Sequence, residues 1–431
     1  MKNLIARALG TCIAASLALA SANAIAADAS EPRGAITLAQ ALDAALKSNP
    51  ELAASRYELT AAQARIVQAG KRLNPELSLE LENFAGGGEA QGTDALETTL
   101  AFSQVVELGG KRSLRRSIAE VDSDLVTLDL RARQLDLLAD VTRRYIDVVA
   151  AQERIRFADE NVAIAQRTLD AIAARVKAAR SPIAEESRAR ITLTRAQIDR
   201  RQATLALETA RSALSLTWGR VDPQFTSANA DLFAFQALET FEALAAKIER
   251  NPDITRFASE ARLRDAELRL AQAQVRPNVT FSVGVRNFRE SGDNALVAGF
   301  SMPLAVHDRN QGGIAEARAR RAQSDAELAA SKTRLLGTLY ALYREIGAAR
   351  ERATSLREEA LPQARDALTQ TQSGYERGRF SFLELLTTQQ DLLALSEAAI
   401  DAAAEYHRLL AELERLTSEP LTSQDLEAPL P

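Results

Sequence analysis

Asn49-Pro50-Glu51-Leu52 and, further on, Asn74-Pro75-Glu76-Leu77-Ser78-Leu79 have counterparts in Asn251-Pro252-Asp253-Ile254 and Arg276-Pro277-Asn278-Val279-Thr280-Phe281. The offset is the same at both places, 251 − 49 and 277 − 75 each giving 202, so Leu42 to Leu79 aligns with Leu244 to Phe281 without a gap. Downstream, Phe102-Ser103 is matched by Phe300-Ser301 and Arg180-Ser181-Pro182 by Arg379-Phe380-Ser381, with the offset drifting by a few residues as loop lengths differ. The chain is a tandem duplication of one supersecondary unit. We divide its 431 residues into a signal peptide at 1–26, a first repeat at 27–219, a linker at 220–236, a second repeat at 237–418 and a tail at 419–431.

Within each repeat the pattern reads helix, strand, strand, long helix, returning helix. A first helix runs from about Leu38 to Arg72 and is stopped by Pro75, because proline disfavours helix in the residue before it. From Glu76 to Phe84, Leu77, Leu79 and Leu81 alternate with Ser78, Glu80 and Glu82; from Leu96 to Val105, Leu100 and Phe102 alternate with Thr99 and Ser103. The Gly-rich run Ala85 to Gly92 connects them. In the second repeat Val279, Phe281, Val283 and Val285 alternate with Thr280, Ser282, Gly284 and Arg286, and Leu296, Ala298, Phe300 and Met302 with Val297, Gly299 and Ser301. Each strand has about the ten residues that a tilted strand needs to cross a bilayer. Long helices follow, from about Arg112 to Ala178 and from about Asn310 to Glu376, each reaching roughly 100 Å at 1.5 Å per residue. A rod of that length must lie along neighbours. Ile118, Val121, Leu125, Leu128, Ala132, Leu135, Ala139, Thr142, Ile146 and Val149 make a seam of alternating three and four spacing. A second stripe through Val126, Leu130, Leu137, Val141 and Val148 calls for a second flanking helix. The returning helices, about Pro182 to Thr217 and Ser381 to Thr417, are half as long.

Composition narrows the function. Lys2 and Arg7, an apolar stretch from Ala8 to Ala20, and Ala22-Asn23-Ala24 or Ala24-Ile25-Ala26 form a secretory signal with cleavage after Ala24 or Ala26. Cys12, the sole cysteine, leaves with it, which excludes thiol catalysis and disulfides from the mature chain. Losing Lys2 and Arg7 takes the formal net charge from −5 to −7, a balance that gives nucleic acid no purchase. No later run reaches 18 apolar residues, so a membrane location would have to be a β-barrel. Four strands cannot close such a barrel, and an open sheet in hydrocarbon strands its edge N–H and C=O groups at several kcal/mol each. The strands must then close through further copies of the chain. The plainer alternative is a soluble coiled-coil protein with two half-buried hairpins.

The pattern resembles the TolC-type outer-membrane efflux proteins over essentially the whole mature chain. The likeness is carried by the Asn-Pro-x-[Leu/Ile] openings, the Asn74-Pro75 and Arg276-Pro277 junctions, and the turn Tyr375-Glu376-Arg377-Gly378-Arg379-Phe380-Ser381-Phe382-Leu383-Glu384. The run Phe102-Ser103-Gln104-Val105-Val106-Glu107-Leu108-Gly109-Gly110-Lys111-Arg112 is similar to the signature of the CzcC-like, heavy-metal branch. The resemblance implies a mainly α protein with a small β part, in which antiparallel coiled-coil helices and four strands per protomer complete, as a homotrimer, a 12-stranded outer-membrane barrel and an α-helical tunnel reaching into the periplasm. It also implies docking on a periplasmic adaptor and an inner-membrane pump of the resistance-nodulation-division type. No cofactor and no enzymatic activity follow from it.

The resemblance assigns the helix-to-helix turns, with Arg180, Ser181, Pro182, Gly378, Arg379, Phe380 and Ser381, to adaptor docking at the periplasmic tips, and places Glu384 at the pore gate. Thr387, one turn on, holds a position that is acidic in some relatives. Glu384 equally fits a capping box with Ser381, since Ser381-Phe382-Leu383-Glu384 has the Ser-x-x-Glu spacing. Ser181 and Pro182 read as N-cap and first helical residue, with the register between repeats open by one. Gly109, Gly110, Lys111 and Arg112 lie where strand becomes rod, glycines for the turn and cations near the membrane edge. The second repeat has Val306-His307-Asp308-Arg309-Asn310 there instead. His307 and His407 are far apart with no ligand partner at metal-binding spacing, and no nucleophile sits beside a base. The leading expectation is a passive duct for heavy-metal cations such as cobalt, zinc or cadmium. A duct for drugs or secreted proteins, and a periplasmic coiled-coil scaffold or adaptor, stay open.

Overall fold

A computed structural model describes residues 31–418; the signal peptide with its cleavage sites and Cys12, and the tail at 419–431, lie outside the described residues. In chain order the elements are β1 (Gly34–Ile36), α1 (Leu38–Ser48), α2 (Pro50–Ala69), β2 (Glu76–Glu82), β3 (Glu97–Val106), α3 (Lys111–Lys177), α4 (Ile183–Ser215), β4 (Phe225–Ala228), α5 (Phe241–Lys247), α6 (Pro252–Ala273), β5 (Val279–Phe288), β6 (Asn294–Ser301), α7 (Gln311–Ser355), α8 (Leu361–Glu376) and α9 (Phe382–Thr417). The mainly α architecture with four longer strands is as expected, and its elements recur in the same order in both repeats. Two compact units form. One takes in residues up to Pro50, 134–241 and from Leu339 on; the other takes in 51–133 and 242–338, so each draws on both repeats.

Several boundaries differ from the sequence reading, for identifiable reasons. The first helix is not continuous, because Asn49 is extended (φ −65°, ψ 123°) ahead of Pro50 and its amide donates to the Thr217 carbonyl at 2.8 Å. Asn251 does the same ahead of Pro252 and caps α6, its side chain accepting from Asp253 N–H at 2.7 Å. β2 stops at Glu82 rather than Phe84 because Asn83 and Ala85 both take positive φ. The second rod is interrupted: Leu356–Ala360 form a π turn, with the Leu361 N–H donating to Leu356 O, where Pro362 offers no N–H to the preceding turn. The linker region is structured, since β4 pairs in parallel with β1 and Gln152 clamps Ala228 through both its amide atoms, at 2.8 and 2.9 Å.

The core of the first unit surrounds α3 between Val141 and Ala150. Val141, Tyr145, Ile146, Val148 and Ala150 are fully buried there against α1, α9, Leu214, Trp218 and Phe225. Both predicted stripes are thus covered over this stretch, whereas Leu125, Leu128 and Leu135 remain half-buried. Arg143 to Glu412, Arg408 to Asp147 and Arg154 to Asp401 tie α3 to α9, each pair exposed enough to set register more than stability. The segment after β4 docks on α9: Tyr406 and Gln236 exchange hydrogen bonds at 3.1 Å, and Phe235 stacks on His407. His407 is 2 % exposed, with Nε2 3.0 Å from the Leu232 carbonyl and Nδ1 buried without a partner. Burial depresses its pKa from 6.5 to about 4.

In the second unit the sheet has the order β2-β3-β5-β6, all antiparallel, so the two repeats meet at the β3–β5 pair. One face is apolar, in continuous cross-strand rows: Leu77, Phe102, Val283 and Ala298 form one, Leu79, Leu100, Val285 and Leu296 the next. The opposite face is mostly polar or small, and it is tight. A Cβ at Gly284 would sit 2.5 Å from the Leu100 carbonyl, and one at Gly299 2.5 Å from the Ser282 hydroxyl.

The turns closing α3 and α8 are the same Schellman motif. Arg180 N–H donates to Arg175 O and Ala179 N–H to Val176 O; Arg379 N–H donates to Gly374 O and Gly378 N–H to Tyr375 O. Gly378 takes the left-handed position at φ 75°, but Ala179 takes it at φ 56° with an exposed side chain. Ala179→Gly should therefore raise unfolding stability by about 1 kcal/mol, read as a higher denaturation midpoint. A second expectation concerns acid. A histidine held neutral stabilises the fold fully above its unfolded pKa of 6.5, and that contribution is lost as pH falls towards 4. His407→Gln should remove about 3 kcal/mol of acid sensitivity between pH 7 and 4 in paired denaturation curves.

Candidate functional site

The two tip turns, α3–α4 and α8–α9, lie together in the first unit and are latched through Arg175, which the sequence reading did not single out. The Arg175 guanidinium donates to the Tyr375 and Glu376 carbonyls at 2.9 and 2.8 Å and to the Ser181 hydroxyl at 3.1 Å. It also lies over the Tyr375 ring, 4.8 Å from its centroid. The Tyr375 hydroxyl donates to Glu185 at 2.7 Å, and burial raises its pKa. One arginine at the end of α3 thus fills the last carbonyls of α8, where helix-end partial charge favours a cation. The signal that could have found this latch is the spacing of Glu185 from Pro182, identical to that of Glu384 from Ser381.

That spacing fixes the register between repeats. Matching left-handed residues are Ala179 and Gly378, which aligns Pro182 with Ser381 and Glu185 with Glu384. Ser181 is therefore not the N-cap. Pro182 occupies that position, with no side-chain cap, and Ser181 instead accepts from Arg175. In the second tip the capping box is complete: Glu384 accepts from Ser381 N–H at 2.7 Å and from the Ser381 hydroxyl at 2.8 Å, while that hydroxyl accepts from Glu384 N–H at 3.3 Å. These bonds, the backbone one foremost, lower the Glu384 pKa. Glu384 is solvent-exposed, so its carboxylate is both a cap and a fixed surface charge. Arg180, Pro182, Gly378, Arg379 and Phe380 are exposed on the tips beside Ile183 and Leu383, large apolar side chains left in solvent. Phe380 folds back over Gly374, where a Cβ would overlap its ring.

The strand-to-helix junction is in the second unit and fastens the repeats to one another. Gly109 and Gly110 both have positive φ, and a Cβ on Gly109 would come within 3.0 Å of the Arg276 side chain. Lys111 is only 9 % exposed, and its ammonium donates at 2.6 Å to both the Arg276 carbonyl and the Asn278 side chain. It is a buried fastener rather than a cation facing the membrane edge. Arg112 is exposed. Glu107, whose pKa is lowered chiefly by its hydrogen bonds from Arg115, holds that arginine through both carboxylate oxygens. In the second repeat Asn310 takes the left-handed conformation that Gly110 takes in the first, and its amide donates to Ala271 O at 2.8 Å. His307 and Asp308 belong to no group of metal ligands among the described residues.

Comparison with known proteins accords with this geometry. The chain is 29% identical to the cobalt-zinc-cadmium resistance protein CzcC of Cupriavidus metallidurans across 90% of this chain and 91% of that protein. It is 25% identical to the nickel-cobalt-cadmium resistance protein NccC of Alcaligenes xylosoxydans xylosoxydans, covering 74% and 70% of the two. Its fold is similar to the crystal structure of CusC, with a TM-score of 0.74 at 17% identity over 89% of this chain and 92% of that one. The outer membrane protein VceC of Vibrio cholerae is similar at a TM-score of 0.71 and 19% identity, over 89% and 96%. Residues 41–220 and 244–419, the bodies of the two repeats, each match the same family description, and the chain belongs to the outer membrane efflux protein family.

Proposed function

We propose that this protein is the outer-membrane exit duct of a tripartite efflux system, assembled as a homotrimer and passing heavy-metal cations such as cobalt, zinc or cadmium. It needs no catalytic residue and no cofactor of its own. The observation that carries the reading is the apolar sheet face. Leu296 is 84 %, Leu77 70 % and Phe300 64 % exposed, in rows that none of the other described residues covers. A surface of this kind is costly in water and favourable in lipid. Phe281 and Phe300, 5.7 Å apart near the helix-proximal strand ends, suit the aromatic girdle that membrane barrels carry at an interface.

The edges supply the second argument. Among the described residues β2 and β6 each pair on one side only, which leaves their outer edges without a neighbouring strand there. Pairing β6 of one copy with β2 of the next satisfies both, and three copies of the four-stranded sheet close a barrel of 12 strands. The polar face then lines the lumen, and crowding at Gly284 and Gly299 belongs to a concave surface. Support for metal cargo comes from the likeness to CzcC and NccC, whose names state cobalt, zinc, cadmium and nickel resistance. The exposed tips, with Ile183, Phe380 and Leu383, are the surface we assign to the periplasmic adaptor of a resistance-nodulation-division pump. Glu384, at the start of α9, is assigned to the pore gate.

Two experiments test this reading. Purified protein should require detergent, migrate as a trimer and open uniform channels in planar bilayers; a monomer that stays soluble without detergent would refute it. Glu384→Gln isolates charge from capping, because glutamine at the third helical position still completes the box. The variant should keep wild-type thermal stability yet shift single-channel conductance or cation preference, and unchanged conductance would remove Glu384 from the gate.

A further inference from the structure

On the polar face of the sheet one arginine lies between two glutamates and forms an ion pair with each. Glu82 on β2 and Glu97 on β3 are direct cross-strand partners, an arrangement in which like charges repel. Arg286 on β5 reaches both. Its Nη2 lies 2.8 Å from Glu82 Oε2, its Nη1 2.8 Å from Glu97 Oε2, and its Nε donates to the Thr99 hydroxyl at 2.9 Å. Asn83 holds the other oxygen of Glu97 at 2.9 Å. The two carboxylates are thus positioned by the sheet itself, close together, with a single cation between them.

We propose that Arg286 is a specificity-determining residue of the duct: a tethered counter-ion that occupies the place a divalent metal would otherwise take between Glu82 and Glu97. This rests on the reading of the polar face as the lumen of a metal-exporting channel. Paired carboxylates are the oxygen donors that divalent cations seek, and a site that binds cargo tightly slows its exit. Guanidinium suits the task because it stays charged and its planar fork serves both carboxylates and a hydroxyl at once. The cluster keeps one net negative charge, so cations are attracted yet not chelated. Glu76 and Glu80, on the same face of β2, extend the acidic character without an opposing glutamate, their partners in β3 being Ser103 and Thr99.

The test uses the full-length trimer in planar bilayers with sodium as carrier and zinc added to one side. Wild-type channels and R286K, which keeps the charge, should pass current with little zinc sensitivity. R286Q should be blocked by zinc at a concentration at least about tenfold lower, and adding Glu82→Gln and Glu97→Gln to it should abolish the block. Open R286Q channels as insensitive to zinc as wild type would overturn the proposal, while leaving the duct reading intact. Failure of the wild type to form channels would instead overturn the duct. If R286Q does not assemble, zinc present during assembly should restore trimers by replacing the missing cation; no restoration also overturns the proposal.

Discussion

Backbone at the sheet edges that finds no partner strand among the described residues is the constraint on which the rest depends. A four-stranded antiparallel sheet with one face built mainly from apolar rows can rest neither in water nor in lipid as a single chain. Water penalises the leucine and valine rows, and hydrocarbon penalises the open edges of β2 and β6. Copying the sheet around an axis answers both penalties at once. The duplication makes this economical, because β3 and β5 already join the two repeats with ten register pairs, and one further pairing per copy completes the ring.

The helical part solves a different problem, which is how to hold two repeats in fixed register along long rods. Close packing does it where the apolar side chains of α3 are fully buried, from Val141 to Ala150. Elsewhere specific polar fasteners do it. Lys111 ties the end of one hairpin to the opening of the other, and Arg175 ties one helix turn to its twin. In each case a cation closes on backbone carbonyls of the other repeat. Backbone acceptors cannot be removed by substitution, so such fasteners tolerate drift in the partner sequence.

Much of this architecture was legible in the sequence, because it is written in periodicity. Alternation at Leu77, Leu79 and Leu81 and the long seam through Ile146 and Val149 each mark a face by spacing alone. The features that escaped were set by single backbone conformations or by distant partners. Asn49 broke a helix that composition favoured, and Pro362 opened a π turn in a rod that the pattern carried straight through. β1 and β4, of three and four residues, are too short to show a period at all. The Arg175 latch and the Arg286 cluster join residues about 200 apart in the chain, a distance over which one sequence carries no visible correlation. Lys111 read as a surface charge because lysine usually is one, and only the fold shows what encloses it.

The two tips show how equivalent glutamates in a duplicated part can serve different partners. In the second copy a serine begins the returning helix and detains the glutamate three places on, each satisfying the other. In the first copy proline stands where that serine would be and offers no hydroxyl, so the corresponding glutamate is at liberty to reach across and grip a tyrosine. A difference at one helix start separates a local brace from a bond between repeats, so the two tips match in position but not in what their glutamates hold.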